Sequence, residues 1–227
     1  MNCTTQKRAI FFDFDGVLVD SARLKTELFL SFYPEQPAAL REEIRAYCDA
    51  HGGISRDRKF NHIHTEILSQ PLPEAVLADL CQRFTEHVVG KVIAAHSISG
   101  ATEFLNRFCG QFKLFVISGT PHEEISAICR RRGIASYFAE IVGAPTTKTK
   151  WIRHFLQKYR LPLESTVMVG DSLTDYHAAL ETGVDFIGIE QPDRPILPAG
   201  SRILPDLRGL PTALQNLYPE IEPLLTQ

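Results

Sequence analysis

At 227 residues and 25.5 kDa, the chain is long enough for one large domain or a core with a smaller insert, and it can bury a sizeable core without disulfide or metal staples. Apolar residues make up 44% and charged residues 22%, which excludes a disordered chain, a collagen-like repeat and a small disulfide scaffold. The balance of 24 Lys+Arg against 27 Asp+Glu, net -3, lacks the basic excess of a nucleic-acid binder but leaves room for a local pocket for a small anion.

The five cysteines (Cys3, Cys48, Cys81, Cys109, Cys129) are odd in number, scattered and never in a C-x-x-C pair, so free thiols in a reducing compartment are expected. The N-terminus carries only a short apolar run, AIFF, too short for a signal peptide, and no run approaches the ~18 residues of a membrane span. Asn2-Cys3-Thr4 matches a glycosylation acceptor but has no secretory signal to give it meaning. The expectation is a cytoplasmic protein with neither nucleic acid nor membrane as partner.

In chain order, the first apolar run, Ala9–Phe14, reads as a buried strand. Residues from about 22 to 95 then carry helical spacing in four segments, Ala22–Phe32, Ala38–Ala50, Arg56–Leu68 and Glu74–Val89, separated by prolines and Gly52-Gly53. This predicts an all-helical insert that returns to the sheet near Ser99-Gly100. Strand-like runs follow at Lys113–Ser118, Glu140–Gly143, Thr166–Gly170 and Asp185–Ile189. Between them lie amphipathic segments at Pro121–Arg132, Lys150–Tyr159 and Thr174–Thr182. Alternating strands and helices argue for a parallel, helix-covered sheet, an α/β fold. The tail from Gln191 is rich in proline (192, 195, 198, 205, 211, 219), which suggests a loop and one or two short closing elements.

The chemistry-bearing residues fall just after strands, where open α/β sheets place their sites. The first strand runs into Asp13-Phe14-Asp15-Gly16-Val17-Leu18-Val19-Asp20-Ser21. In an extended segment Asp13 and Asp15 would face one side and converge. Two such acids can bind a hard cation, whose charge relieves their repulsion; alone they also read as ordinary turn acids. The next strand ends in Ser118-Gly119-Thr120-Pro121, a hydroxyl and glycine amides before a helix, suited to an anion or simply to a cap. A later one ends in Gly170-Asp171-Ser172-Leu173-Thr174-Asp175. The segment Thr146-Thr147-Lys148-Thr149-Lys150 places a lysine near the same edge.

As a set, DFDGVLVDS, ISGT, the following lysine and GDSLTD resemble the haloacid dehalogenase-like (HAD) hydrolase superfamily, over about residues 8–20 and 97–190. The resemblance implies a Rossmann-like core of residues 1–20 and 97–227 and a helical, type I cap of residues 21–96. It implies a phosphatase for a small phosphorylated metabolite, phosphoglycolate- or sugar-phosphate-like, with Asp13 as nucleophile forming an aspartyl-phosphate and Asp15 as acid and base. Mg²⁺ would sit between Asp13, the Asp15 backbone carbonyl and Asp171. Ser118 and the Gly119 amide would hold phosphoryl oxygens, Lys148 would neutralise charge, and Asp175 would orient metal waters or Lys148. Lys148 is preferred to Lys150 because it precedes the helical pattern.

The second acid and the GDSLTD acids favour attack on phosphorus over the carbon chemistry of dehalogenases. A mutase resembling β-phosphoglucomutase, and an idle binding relative, remain as alternatives; loss of Asp13 would mark the latter. In the insert, His51–His64 holds three cations against one acid, and Arg56 or Lys59 is expected to read a second anionic group of the substrate. His62 and His64 lack an evident third metal ligand. Oligomeric state has no sequence signature.

Overall fold

The computed structural model describes residues 8–191 and 196–221. Six strands form one sheet: β1 (Ala9–Phe12), β2 (Lys113–Pro121), β3 (Glu140–Ala144), β4 (Thr166–Gly170), β5 (Asp185–Ile189) and β6 (Ile203–Leu204). Their order is β3-β2-β1-β4-β5-β6 and every pairing is parallel. Such a sheet is covered on both faces, which is why its central strands read as continuous apolar runs. Alternation along β1 feeds both cores: Ile10 and Phe12 face one, Ala9 and Phe11 the other. On the second face Phe11, Phe115 and Phe155 stack with centroids 4.7–6.2 Å apart, beneath α7 (Lys148–Tyr159) and α8 (Leu173–Thr182). On the first lie α5 (Ala101–Phe108), α6 (His122–Arg131) and α9 (Leu210–Leu217).

Between β1 and β2 the chain forms α1 (Ala22–Ser31), α2 (Ala38–Ala50), α3 (Arg56–His62) and α4 (Glu74–Ala94). Phe29, Phe60 and Phe84 meet at 4.4–5.9 Å and are nearly inaccessible to water. Each such ring contributes about 1.5–3 kcal/mol by burial. The chain enters and leaves this helical layer side by side: Asp20 N donates to His96 O (2.9 Å) and Ile98 N to Leu18 O (3.1 Å). Arg132, just after α6, ties the layer to the sheet domain by donating to the carbonyls of Val92, Ile93 and Ala95 at the end of α4. Those carbonyls belong to the group a helix end leaves without partners.

Several expectations need correction. The Arg56–Leu68 segment is not one α-helix: after α3 it widens into a π turn, Ile63–Ile67, closed by Leu68 N on Ile63 O. The extra residue lets Ile67 and Leu68 pack on the same core as Ile63. β1 stops at Phe12, so Asp13 and Asp15 do not share a strand face. Asp13 keeps one ladder bond, to Val169 O (2.9 Å), and Asp15 lies in the turn beyond. α7 begins at Lys148, not Lys150, and α5 was not anticipated. The tail supplies β6, α9 and two 3₁₀ turns, but Pro192 and Pro195 lie outside the described residues, as do Cys3 and the Asn2-Cys3-Thr4 match. The four described cysteines are unpaired. Among the described residues no helix is long and apolar enough to cross a membrane.

Candidate active site

The carboxyl ends of the inner strands converge on Lys148. Its Nζ lies 2.8 Å from Asp13 Oδ1 and 2.5 Å from Asp175 Oδ1, and all three side chains are at most 3% exposed. The second oxygen of Asp175 accepts from Ser172 Oγ (2.6 Å) and Ser172 N (3.2 Å), a capping box that starts α8. Asp175 is thus fully engaged in fixing Lys148 and the helix. Lys150 is exposed on the first turn of α7.

Asp13, Asp171 and Asp175 each bring a carboxylate oxygen to within 4.8 Å of the others, all buried. Asp13 and Asp175 share the Lys148 ammonium, and the Asp171 carboxylate lies beside them. Burial pushes Asp13 up to about 7, against the attraction of Lys148 and with the repulsion of Asp175 and Asp15. For Lys148, burial opposes its charge, but Asp13 and Asp175 outweigh it and hold the ammonium above the ordinary lysine range. An all-oxygen, electron-rich, buried set suits a hard divalent cation such as Mg²⁺. With Asp175 committed, Asp13 and Asp171 are the carboxylates to hold it. The Asp15 carboxylate is held elsewhere; the sequence reading assigned this residue's backbone carbonyl, not its carboxylate, to the cation.

Asp15 is gripped at both oxygens. Ser21 Oγ donates to Oδ1 (2.6 Å), Lys25 Nζ to Oδ2 (2.5 Å), and Thr120 Oγ1 approaches Oδ2 at 3.4 Å. Burial alone would raise this carboxyl; Lys25, with help from Ser21, more than offsets it and holds Asp15 below the usual carboxylate range. Gly16, next in the turn, has φ +81, and a Cβ there would lie 2.2 Å from Asp171 Oδ2. A glycine is therefore what lets this turn and Asp171 approach.

Ser118 is buried within β2, three residues before its end, its hydroxyl accepting from Thr120 N (3.1 Å). Over Gly119 lies the loop between α2 and α3: a Cβ at Gly119 would come 2.3 Å from Gly53 O. Gly53 itself sits against Lys148, and Gly52 against Ser172. The His51-Gly-Gly loop therefore descends onto the site and shields Lys148. What remains is a cavity of about 630 Å³, including its opening to solvent, between Asp13, Asp15 and Asp171 below and Lys25, Phe29 and Lys59 above.

Arg56 also lines that cavity, but its guanidinium is occupied. It pairs with Glu124 Oε1 on α6 (2.5 Å), donates to Thr85 Oγ1 (2.5 Å) and lies over the Phe84 ring. Lys59 donates to Cys48 O (3.0 Å) and faces Phe29. Neither presents an uncommitted charge. His62 stacks on Tyr47 and His64 packs near Tyr33, so they act as aromatic surface and not as a metal pair. Sequence reasoning attached no importance to Lys25, although its place one turn beyond Ser21 in the first motif was a readable signal.

A family model described as haloacid dehalogenase-like hydrolase matches residues 10–189. The chain is 25% identical over 197 residues to a phosphoglycolate phosphatase of Vibrio cholerae, covering 80% of this chain and 84% of that one. A second phosphoglycolate phosphatase, from Mesorhizobium japonicum, is 26% identical over 188 residues, with 80% and 82% covered. Among solved structures, a predicted phosphoglycolate phosphatase from Haemophilus somnus superposes with TM-score 0.71 at 20% identity, over 93% of this chain and 100% of that one. By strand order, the placement of its acids and this match over most of its length, the chain belongs to the haloacid dehalogenase-like hydrolases.

Proposed function

We propose that the protein is a Mg²⁺-dependent phosphatase of small phosphorylated metabolites, phosphoglycolate-like in size, acting through an aspartyl-phosphate on Asp13. The observation that carries this reading is the buried Asp13–Lys148–Asp175 array beside Asp171, with a second acid, Asp15, held nearby on the cavity side. The phosphoglycolate phosphatases it resembles support the substrate size.

Asp13 Oδ attacks the phosphorus, and the phosphoryl group moves from the ester oxygen to the carboxylate. Fixing the nucleophile on a strand end removes much of the entropic barrier to that attack. Lys148, held by Asp175, offsets charge on the transferred group without needing to reorganise. Ser118 and the Gly119 amide receive phosphoryl oxygens. Asp15, taking up a proton from solvent as the ester binds, gives it to the leaving oxygen, then takes one from the water that cleaves the acyl phosphate, help worth roughly 10²–10⁴ in rate. The Gly52-Gly53 loop excludes bulk water from Lys148. Bound by Asp13 and Asp171, Mg²⁺ would supply positive charge that keeps Asp13 ionised and polarises the phosphoryl group. Residues 21–96 act as the cap and the remainder as the catalytic core.

Phosphate release from a panel of phosphorylated metabolites, in Mg²⁺ and in EDTA, tests this for wild type and Asp13→Asn. Metal-dependent release that Asp13→Asn abolishes is expected. Release that survives Asp13→Asn contradicts the assignment of the nucleophile, and transfer between sugar positions without free phosphate would favour the mutase instead.

A further inference from the structure

We propose that Lys25 is the specificity residue of this site: it reads a carboxylate or second phosphate carried beside the ester oxygen of the substrate, and in turning to that group it frees Asp15 for proton transfer. The inference rests on the phosphatase reading above.

Lys25 and Ser21 lie one helical turn apart, Lys25 N donating to Ser21 O, so both face the same acid. They hold opposite oxygens of Asp15. Ser21 is fully buried, whereas Lys25 and Asp15 keep 17% and 15% of their side-chain surface and both line the cavity. Oδ2 is accordingly the oxygen on the substrate side, and Lys25 Nζ occupies it at 2.5 Å. The ester oxygen needs that same carboxylate oxygen when Asp15 delivers its proton, as the bond from phosphorus to the ester oxygen breaks and the phosphoryl group passes to Asp13. Ammonium and ester oxygen thus compete for one place.

The other cations around the cavity cannot resolve that competition. Lys148 is fixed by Asp13 and Asp175, Arg56 by Glu124, and Lys59 holds the Cys48 carbonyl. Lys25 alone among these four is tied to the acid that must deliver a proton to the leaving oxygen. Its second partner, Thr120 Oγ1 at 2.7 Å, belongs to the core and keeps the ammonium at the site after Asp15 is released. An ester oxygen hydrogen-bonded to Oδ2 would lie within about 6 Å of Nζ, since each of the two contacts spans about 2.5–3 Å. An anion one or two carbons away from that oxygen falls inside this reach; a group further along the chain does not. A substrate without such an anion leaves Lys25 on Asp15.

The test compares kcat and KM of the Mg²⁺-loaded enzyme on 2-phosphoglycolate, ethylene glycol bisphosphate and ethyl phosphate, for wild type, Lys25→Met and Lys25→Arg. The first two substrates separate a carboxylate from a second phosphate; the third has neither. Wild type should prefer at least one anionic substrate over ethyl phosphate. Lys25→Met should shrink that preference by roughly 10–100-fold, the worth of a hydrogen bond to a charged group, through both KM and kcat. Lys25→Arg should retain most of it, which a merely structural role for the side chain would not require. No preference in wild type, or a preference that survives Lys25→Met, overturns the proposal while leaving the phosphatase intact. No Asp13-dependent release from any phosphate ester, including the wider metabolite panel, overturns the phosphatase reading itself and this inference with it.

Discussion

Glu124→Ala tests whether Arg56 is a structural tie between the helical layer and the sheet domain. The Arg56 and Glu124 side chains are only 7% and 8% exposed, and they join α3 to α6. Removing the carboxylate strands a guanidinium whose remaining contacts are Thr85 Oγ1 and the Phe84 ring. Breaking one partner of such a buried pair costs about 3–5 kcal/mol. For a chain of this size that is a fall in Tm of roughly 6–20 °C. The layer can also lift at this edge and rehydrate Arg56 while Arg132 still holds the far end of α4, so the loss cannot exceed the cost of parting α3 from α6. Replacing both partners by apolar side chains, Arg56→Met with Glu124→Leu, should recover most of the stability, because no charge is then left unpaired. Thermal unfolding followed by circular dichroism, run as a double-mutant cycle, reads the coupling directly. Strictly additive losses would refute the tie. An Arg56→Met variant with unchanged Tm and a selectively raised KM for anionic substrates would restore Arg56 as the anion reader.

Other outcomes follow from the same geometry. Asp171→Asn should abolish the rise in Tm that Mg²⁺ gives the wild type, measured by differential scanning fluorimetry; an undiminished rise would place the ion elsewhere. Lys148→Met should lower kcat by at least about 100-fold, the scale of losing one preorganised charge contact, whereas Lys150→Met should leave kcat within about twofold. Gly119→Ala puts a methyl 2.3 Å from Gly53 O and should hold the loop off the site, seen as slower turnover and faster amide exchange over residues 51–55. Normal turnover in that variant would mean that the loop need not close. Gly16→Ala adds strain at φ +81 to a clash with Asp171 Oδ2 and should weaken Mg²⁺ binding, read by calorimetry.

The sheet was legible because parallel strands buried on both faces must be apolar throughout: Thr166–Gly170 and Asp185–Ile189 stand as read. The acids and Lys148 were legible because each follows a strand, where side chains meet at one edge. What escaped was set by contacts between distant segments. Asp13 and Asp15 reach the cavity from the stretch beyond β1, not from one strand face, since β1 ends before either. Arg56 carries the charge of an anion reader, but its partner, Glu124, lies 68 residues away on α6, and only the fold brings the two together. Lys25 was passed over because a lysine on an amphipathic helix is ordinarily solvated; only the fold brings Asp15 and Thr120 to it. α5 escaped although Phe104, Leu105 and Phe108 repeat at helical spacing beside Glu103 and Arg107, because a helix of 8 residues offers little more than two turns of that pattern.

The most direct test of the central claim is to trap the phosphoryl group on Asp13. An aryl phosphate such as p-nitrophenyl phosphate has a leaving group that departs without protonation, so Asp15→Asn should still form the acyl phosphate but hydrolyse it slowly. In Mg²⁺ this variant should release close to one nitrophenolate per chain in a burst, and acid-quenched protein should carry one phosphoryl group on the peptide containing Asp13. A burst with the label on another residue, or steady turnover with no labelled enzyme at any time, would contradict the account.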